Sequence, residues 1–170
     1  MGTFPGGILI KPTTTVDTSA YSAGDLMFDK VELKNAVNSR GGASKLISIN
    51  AYHEAPAAAE DFTVLFFDNS TSLGAAANAA ATDISDAEFK AAGFIGLVSI
   101  DGGLNGEGVG NGRAYTASGS NDRNLGLPLL IQAADGKTSI WVAVIVKTDT
   151  PDFSSADTGW QMSFGFEFLG

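Results

Sequence analysis

The sequence predicts an all-β fold: an antiparallel two-sheet sandwich, jelly-roll-like, with one short helix near residues 85–92. Three observations carry this. Apolar side chains recur with a period of two along most of the chain. The runs are separated by turns dense in Gly, Asp, Asn and Ser. At 170 residues the chain suits one domain that buries roughly 70% of its unfolded surface, without needing a metal or disulfide.

The first segment reads Gly6-Gly7, then Ile8-Leu9-Ile10, then Lys11-Pro12. Three adjacent aliphatic side chains must dock, either as the first edge strand of their own domain or as an arm on a neighbouring subunit. Residues 1–20 are accordingly set apart as an N-terminal arm or edge segment, and residues 21–170 as a single sandwich domain. Strands are expected at Leu26–Val37, Lys45–His53, Phe62–Asp68 and Phe94–Ile100. In the first of these, Leu26 and Phe28 are out of phase with Val31, Leu33 and Val37, so a β-bulge is expected near Asp29-Lys30. Ala75–Ala81 is too short to hold a helix by itself and reads as a loop over a sheet. Ser85-Asp86-Ala87-Glu88 has the spacing of a capping box, and Gly93 follows as a stop, which predicts a two-turn helix. Leu125, Leu127, Leu129 and Ile131 alternate up to a turn at Asp135-Gly136-Lys137. The β-branched run Ile140–Val146 comes next, reads as a central strand, and is expected to form a hairpin with that segment. Pro128 lacks an N–H, so its strand belongs at an edge or a bulge. In the last strand Trp160, Met162, Phe164, Phe166 and Phe168 share one face.

Composition narrows the function. The formal net charge is −9 and no run of Lys or Arg occurs, so continuous neutralisation of phosphates, and with it nucleic acid or an anionic membrane, is not expected. Charged residues make up 17% of the chain, low against about 25% in typical proteins. The chain has no cysteine, which suits folding in a reducing cytoplasm. The N-terminus lacks a signal-peptide pattern, and the longest apolar run is far too short to cross a bilayer.

Chemistry is hard to assemble from these residues. His53 is the single histidine, and alternation places it with Ile47, Ile49 and Ala51, where a strand-end histidine without a special role is the expected reading. No Ser-His-Asp or Cys-His device and no zinc set follows. Asp101-Gly102-Gly103-Leu104-Asn105-Gly106-Glu107 resembles the start of a calcium loop, yet Gly103 and Gly112 stand where ligands belong. Asp149, Asp152 and Asp157 form a second acidic loop. Both are expected to be turn-forming segments, and no cofactor or metal is assigned. Gly102–Gly112 reads as a long exposed contact loop, with Arg113, Tyr115 and Arg123 after it as candidate partner-binding residues beside Ile8, Leu9 and Ile10. Trp141 and Trp160 lie in apolar strands and are expected to pack in the core.

Several segments follow one another in a familiar order. They are Tyr21-Ser22-Ala23-Gly24-Asp25, Leu65-Phe66-Phe67-Asp68-Asn69-Ser70, Ile84-Ser85-Asp86-Ala87-Glu88, Gly93–Ile100, Leu127-Pro128-Leu129, Trp141-Val142-Ala143-Val144 and Thr150-Pro151-Asp152-Phe153-Ser154-Ser155-Ala156. Over Tyr21 to Leu169 the chain resembles small virion structural proteins of tailed phages, with jelly-roll subunits of the capsid decoration or head-fibre kind. The resemblance implies a non-enzymatic capsid decoration (cement) protein. It would be made in the host cytoplasm, bind the major capsid protein on the outer surface of the head, and form a homotrimer. The alternative is a carbohydrate- or receptor-binding sandwich of a phage tail or fibre, with Tyr115 and Tyr52 as an aromatic platform.

Overall fold

Strands with one apolar face must bury it, and the computed structural model shows how they do so; it describes residues 6–54, 56, 58–118, 127–147, 151–153 and 159–169. Among these, the strands are β1 (Gly7–Ile10), β2 (Leu26–Leu33), β3 (Ala43–His53), β4 (Phe62–Phe67), β5 (Phe94–Ile100), β6 (Gly106–Val109), β7 (Gly112–Ser118), β8 (Leu129–Gln132), β9 (Ile140–Val146) and β10 (Trp160–Phe168). Two short helices, α1 (Asp86–Ala91) and α2 (Gly102–Asn105), interrupt them.

One sheet runs β1-β10-β3-β7-β6, with β8 also on β3, and the other runs β2-β9-β4-β5. The pairs are antiparallel and nested. Outermost is β1 with β10, then β2 with β9, then β3 with β7 and β8, and innermost β4 with β5. The chain is thus one long hairpin whose successive pairs fall in alternate sheets, which is the jelly-roll topology. The expected fold class holds.

The inner faces meet in a core that includes Leu46, Ile49, Phe66, Val142, Phe164 and Phe166. On β10 the alternation works as expected for Trp160, Met162, Phe164 and Phe166, while Phe168 is only half-buried, past a register shift at Gly165/Phe166. A second apolar cluster lies on the other side of the four-stranded sheet. There Leu73, Ala75, Ala79, Ile84 and Phe89, from the connection between β4 and β5, cover Leu65, Phe67, Ala143 and Trp141. The bulge in β2 aims side chains at this connection. Its register shifts between Phe28 and Val31. Asp29 then accepts from the Ser72 hydroxyl at 2.6 Å, and Lys30 Nζ donates to Asn69 O at 3.1 Å and Ala92 O at 2.8 Å. The ammonium also sits 4.3 Å from the centre of the Phe67 ring. Through Ala92 O, Lys30 ties down the C-cap carbonyl of α1, whose N-terminus carries the expected capping box of Ser85 and Glu88.

Three expectations need correction. β8 and β9 are not a hairpin, because β8 joins β3 in one sheet and β9 joins β2 and β4 in the other. Ile131 and Ile140 are both wholly buried, and the turn at Asp135-Gly136, with Gly136 at φ 73°, carries the chain across the core. Gly102–Gly112 is not a long loop. It folds as α2, β6 and a tight turn at Gly110-Asn111, where Gly110 takes φ 62°, and periodicity missed it because glycines carry no side chain to alternate. Ile47 does not share a face with His53. The register shift opposite Gly165/Phe166 leaves Ile47 42% exposed while Leu46 and Ile49 stay buried.

Candidate functional site

The polar residues with the most distinctive surroundings sit at one end of the sandwich. β3 ends at His53, the connection to β4 supplies Glu60, and β7 supplies Tyr115. Each is enclosed, at 0%, 2% and 1% exposure respectively. His53 Nδ1 lies 2.7 Å from Glu60 Oε2, and the Tyr115 hydroxyl donates to that same oxygen at 3.2 Å. Burial, together with the adjacent Glu60 carboxylate, pushes the Tyr115 phenol above its ordinary range. Aromatic rings enclose the trio. Phe153 lies 4.5 Å from the His53 ring, Trp160 lies 6.1 Å from it, and Phe62 meets Tyr115 edge-on at 5.6 Å. His53 Nε2 and Trp160 Nε1 have no hydrogen-bond partner among the described residues.

A general acid or base has to come within hydrogen-bond reach of a substrate proton. This trio is almost wholly enclosed, at 2% exposure or less for each member. It joins β3, the β3–β4 connection and β7 and seals the end of the core. Gly102 sets the close approach beside it, since a Cβ there would fall 2.2 Å from Glu60 O. Periodicity signals His53 as a buried-face residue. Glu60 lies in an irregular connection without periodic context, and only the folded chain brings it to His53.

The candidate partner-binding residues separate. Ile8 and Ile10 are half-buried against the main core, and Leu9 is 55% exposed; the segment is an edge strand on β10. Arg113 is half-buried and its Nη1 donates to Gly106 O at 3.4 Å. Tyr115 is a core residue, which removes it as a surface platform, because strand alternation turns it inward opposite Ala51. Arg123 lies outside the described residues, as do Asp149 and Asp157 of the second acidic loop. In the first acidic loop the Asp101 carboxylate caps α2 by accepting from Leu104 N at 3.0 Å, while Glu107 is exposed on β6. Among the described residues no cluster of three or more His, Asp or Glu side chains gathers as a metal set would.

No described segment covers the outer face of the six-stranded sheet, which carries two kinds of surface. Leu9 stands opposite Gly165, where a Cβ would lie 3.7 Å from Ile47 Cγ1. Leu130, 61% exposed, follows opposite Lys45. Opposed residues share a face, so Leu9, Ile47 and Leu130 stand on one face as an apolar strip across β1, β10, β3 and β8, with Lys45 between Ile47 and Leu130. Beside it a shallow depression is lined by Lys11, Asn50, Tyr52, Gln161 and Ser163. The Tyr52 ring lies on Gly112, where a Cβ would fall 2.1 Å from the phenol oxygen.

No protein-family model matches the sequence, and no curated protein matches it. Among solved structures, the chain is similar to the infectious bursal disease virus VP2 of a subviral particle, at TM-score 0.33 and 11% identity over 95% of this chain. It spans about a third of that protein's length, 32%. It is also similar to a capsid chain of an expanded equine rhinitis A virus particle, at TM-score 0.32 and 13% identity, covering 96% of this chain and 72% of that one. A third likeness is to Desmodium yellow mottle tymovirus, at TM-score 0.24 and 16% identity, covering 98% and 89%. At these scores the likenesses carry no weight for the fold, and the nested strand pairs establish the jelly roll.

Proposed function

We propose that this chain is a non-enzymatic virion structural protein: a capsid decoration protein that binds the major capsid protein on the outside of a phage head and self-associates, as a trimer. The observation that carries the reading is the asymmetry of the sandwich. One sheet is roofed by the chain's own connection, while the other presents the strip of Leu9, Ile47 and Leu130 to solvent. An apolar strip rimmed by polar residues is how an assembling surface looks, and the buried trio offers no competing reactive centre. The test is co-sedimentation with capsids purified from the virion that encodes the protein. Saturable binding is expected, weakened by Leu9→Glu or Leu130→Glu in protein that melts as the wild type does. Absence of binding, or binding indifferent to both substitutions, overturns the reading.

The depression at Tyr52 favours a second reading, a carbohydrate-binding module. The Tyr52 phenol, with its hydroxyl end against Gly112, lines this depression beside Gln161 and Lys11. Glycan binding abolished by Tyr52→Ala supports it, and a blank glycan array at high protein concentration removes it.

A further inference from the structure

A sheet edge presents unpaired N–H and C=O groups, and proteins blunt such edges with short strands, charges, prolines or bulges. This jelly roll blunts all its described edges except one. β1, β6 and β8 are four residues each. β2 is longer, but carries Asp29, Lys30 and Glu32 and two register shifts. β5 is seven residues, Phe-Ile-Gly-Leu-Val-Ser-Ile, without a charge or a proline, and its single irregularity is at its start, so that Gly96–Ile100 runs in register with β4. Its far side has no strand partner among the described residues. Phe94 and Leu97 are 42% and 43% exposed there.

We infer that β5 pairs antiparallel with β5 of a second copy about a two-fold axis, joining two four-stranded sheets edge to edge. An unpaired backbone row selects an extended chain as its occupant. Charge selects which chain and which direction. The molecule carries a net −9, yet this strand holds no carboxylate to repel its twin. The nearest charges are Lys90 before the strand and Asp101 after it. Antiparallel self-pairing brings Lys90 of each copy toward the end where Asp101 of the other lies, whereas parallel pairing would set like against like. Centred on Leu97, the register places Leu97 against its own counterpart, with Gly96 opposite Val98 on either side. Such a contact is isologous and closes at two copies. It is separate from any surface that makes a trimer, and it does not rest on the virion reading.

The centre of the register supplies the test. In analytical ultracentrifugation of the full chain at tens of micromolar, the wild type is expected to contain a twofold-associated species. Leu97→Lys alone and Leu97→Glu alone should each weaken the association by roughly tenfold or more, since like charges meet directly opposite one another. An equimolar mixture of the two variants should restore it. Circular dichroism confirms that each variant is folded. Ser99→Lys, at an outward position of the same strand, serves as a second disruptive variant should either fail to fold. A monomeric wild type, an open-ended aggregate, or association unchanged by Leu97→Lys and Ser99→Lys overturns the pairing. Capsid co-sedimentation can still succeed in each of those cases, so the two proposals fail separately.

Discussion

Replacing Glu60 with Leu would test whether the buried trio holds the end of the sandwich together. Glu60 Oε2 is the shared acceptor for His53 Nδ1, at 2.7 Å, and the Tyr115 hydroxyl, at 3.2 Å. Its removal strands the Tyr115 hydroxyl and leaves His53 Nδ1 without its partner, each buried polar group costing about 1–3 kcal/mol when unsatisfied. Breaking a buried pair from one side costs about 3–5 kcal/mol in total. Each kcal/mol moves the melting temperature of a domain this size by about 2–4 °C, so Glu60→Leu is expected to lower it by roughly 6–20 °C. Replacing all three groups with apolar ones behaves differently, because nothing polar is then left stranded. The triple variant Glu60→Leu/His53→Leu/Tyr115→Phe should recover most of the loss, to within about 2 kcal/mol of wild type. Urea titration with the slope monitored measures both. A Glu60→Leu variant within about 1 kcal/mol of wild type, or a triple variant no more stable than the single one, would refute the reasoning.

Three further outcomes are expected. The Tyr21 hydroxyl donates to Met27 O at 2.9 Å and accepts from Asp17 N, and burial pushes its phenol up to about 12. An unfolded tyrosine ionises near 10, so between these values the unfolded state holds fewer protons and stability must fall as pH rises. Tyr21→Phe should be less stable than wild type by about 1–3 kcal/mol at neutral pH, with the gap narrowing above about pH 10 in denaturant titrations. Gly102→Ala places a Cβ 2.2 Å from Glu60 O and 2.6 Å from Glu60 N. Backbone cannot swing aside as a side chain can, so a loss of about 1–3 kcal/mol or more is expected in thermal unfolding, and an unchanged melting temperature would contradict it. Lys30→Met removes the donor to Asn69 O and Ala92 O. Amide exchange in residues 86–93 should then quicken, while that of the central strand β9 stays at the wild-type rate.

Local pattern already contained the strands that carry large side chains in alternation, the capped helix after Ser85, the bulge at Asp29-Lys30 and the class of the fold. Each depends on neighbours a few residues apart, and side-chain alternation or capping geometry is written in that span. The glycine-rich β6 left no such trace. Which strand lies beside which was a matter for the folded chain: β8 on β3 instead of β9, Glu60 against His53, and Tyr115 turned inward with Tyr52 left at the surface. These pairings join segments that no period connects, and they are settled by how two sheets share one core. The edge of β5, without a strand partner among the described residues, belongs to the same class. A strand's residues state that it is apolar, but whether both of its sides find partners depends on the order of the whole sheet.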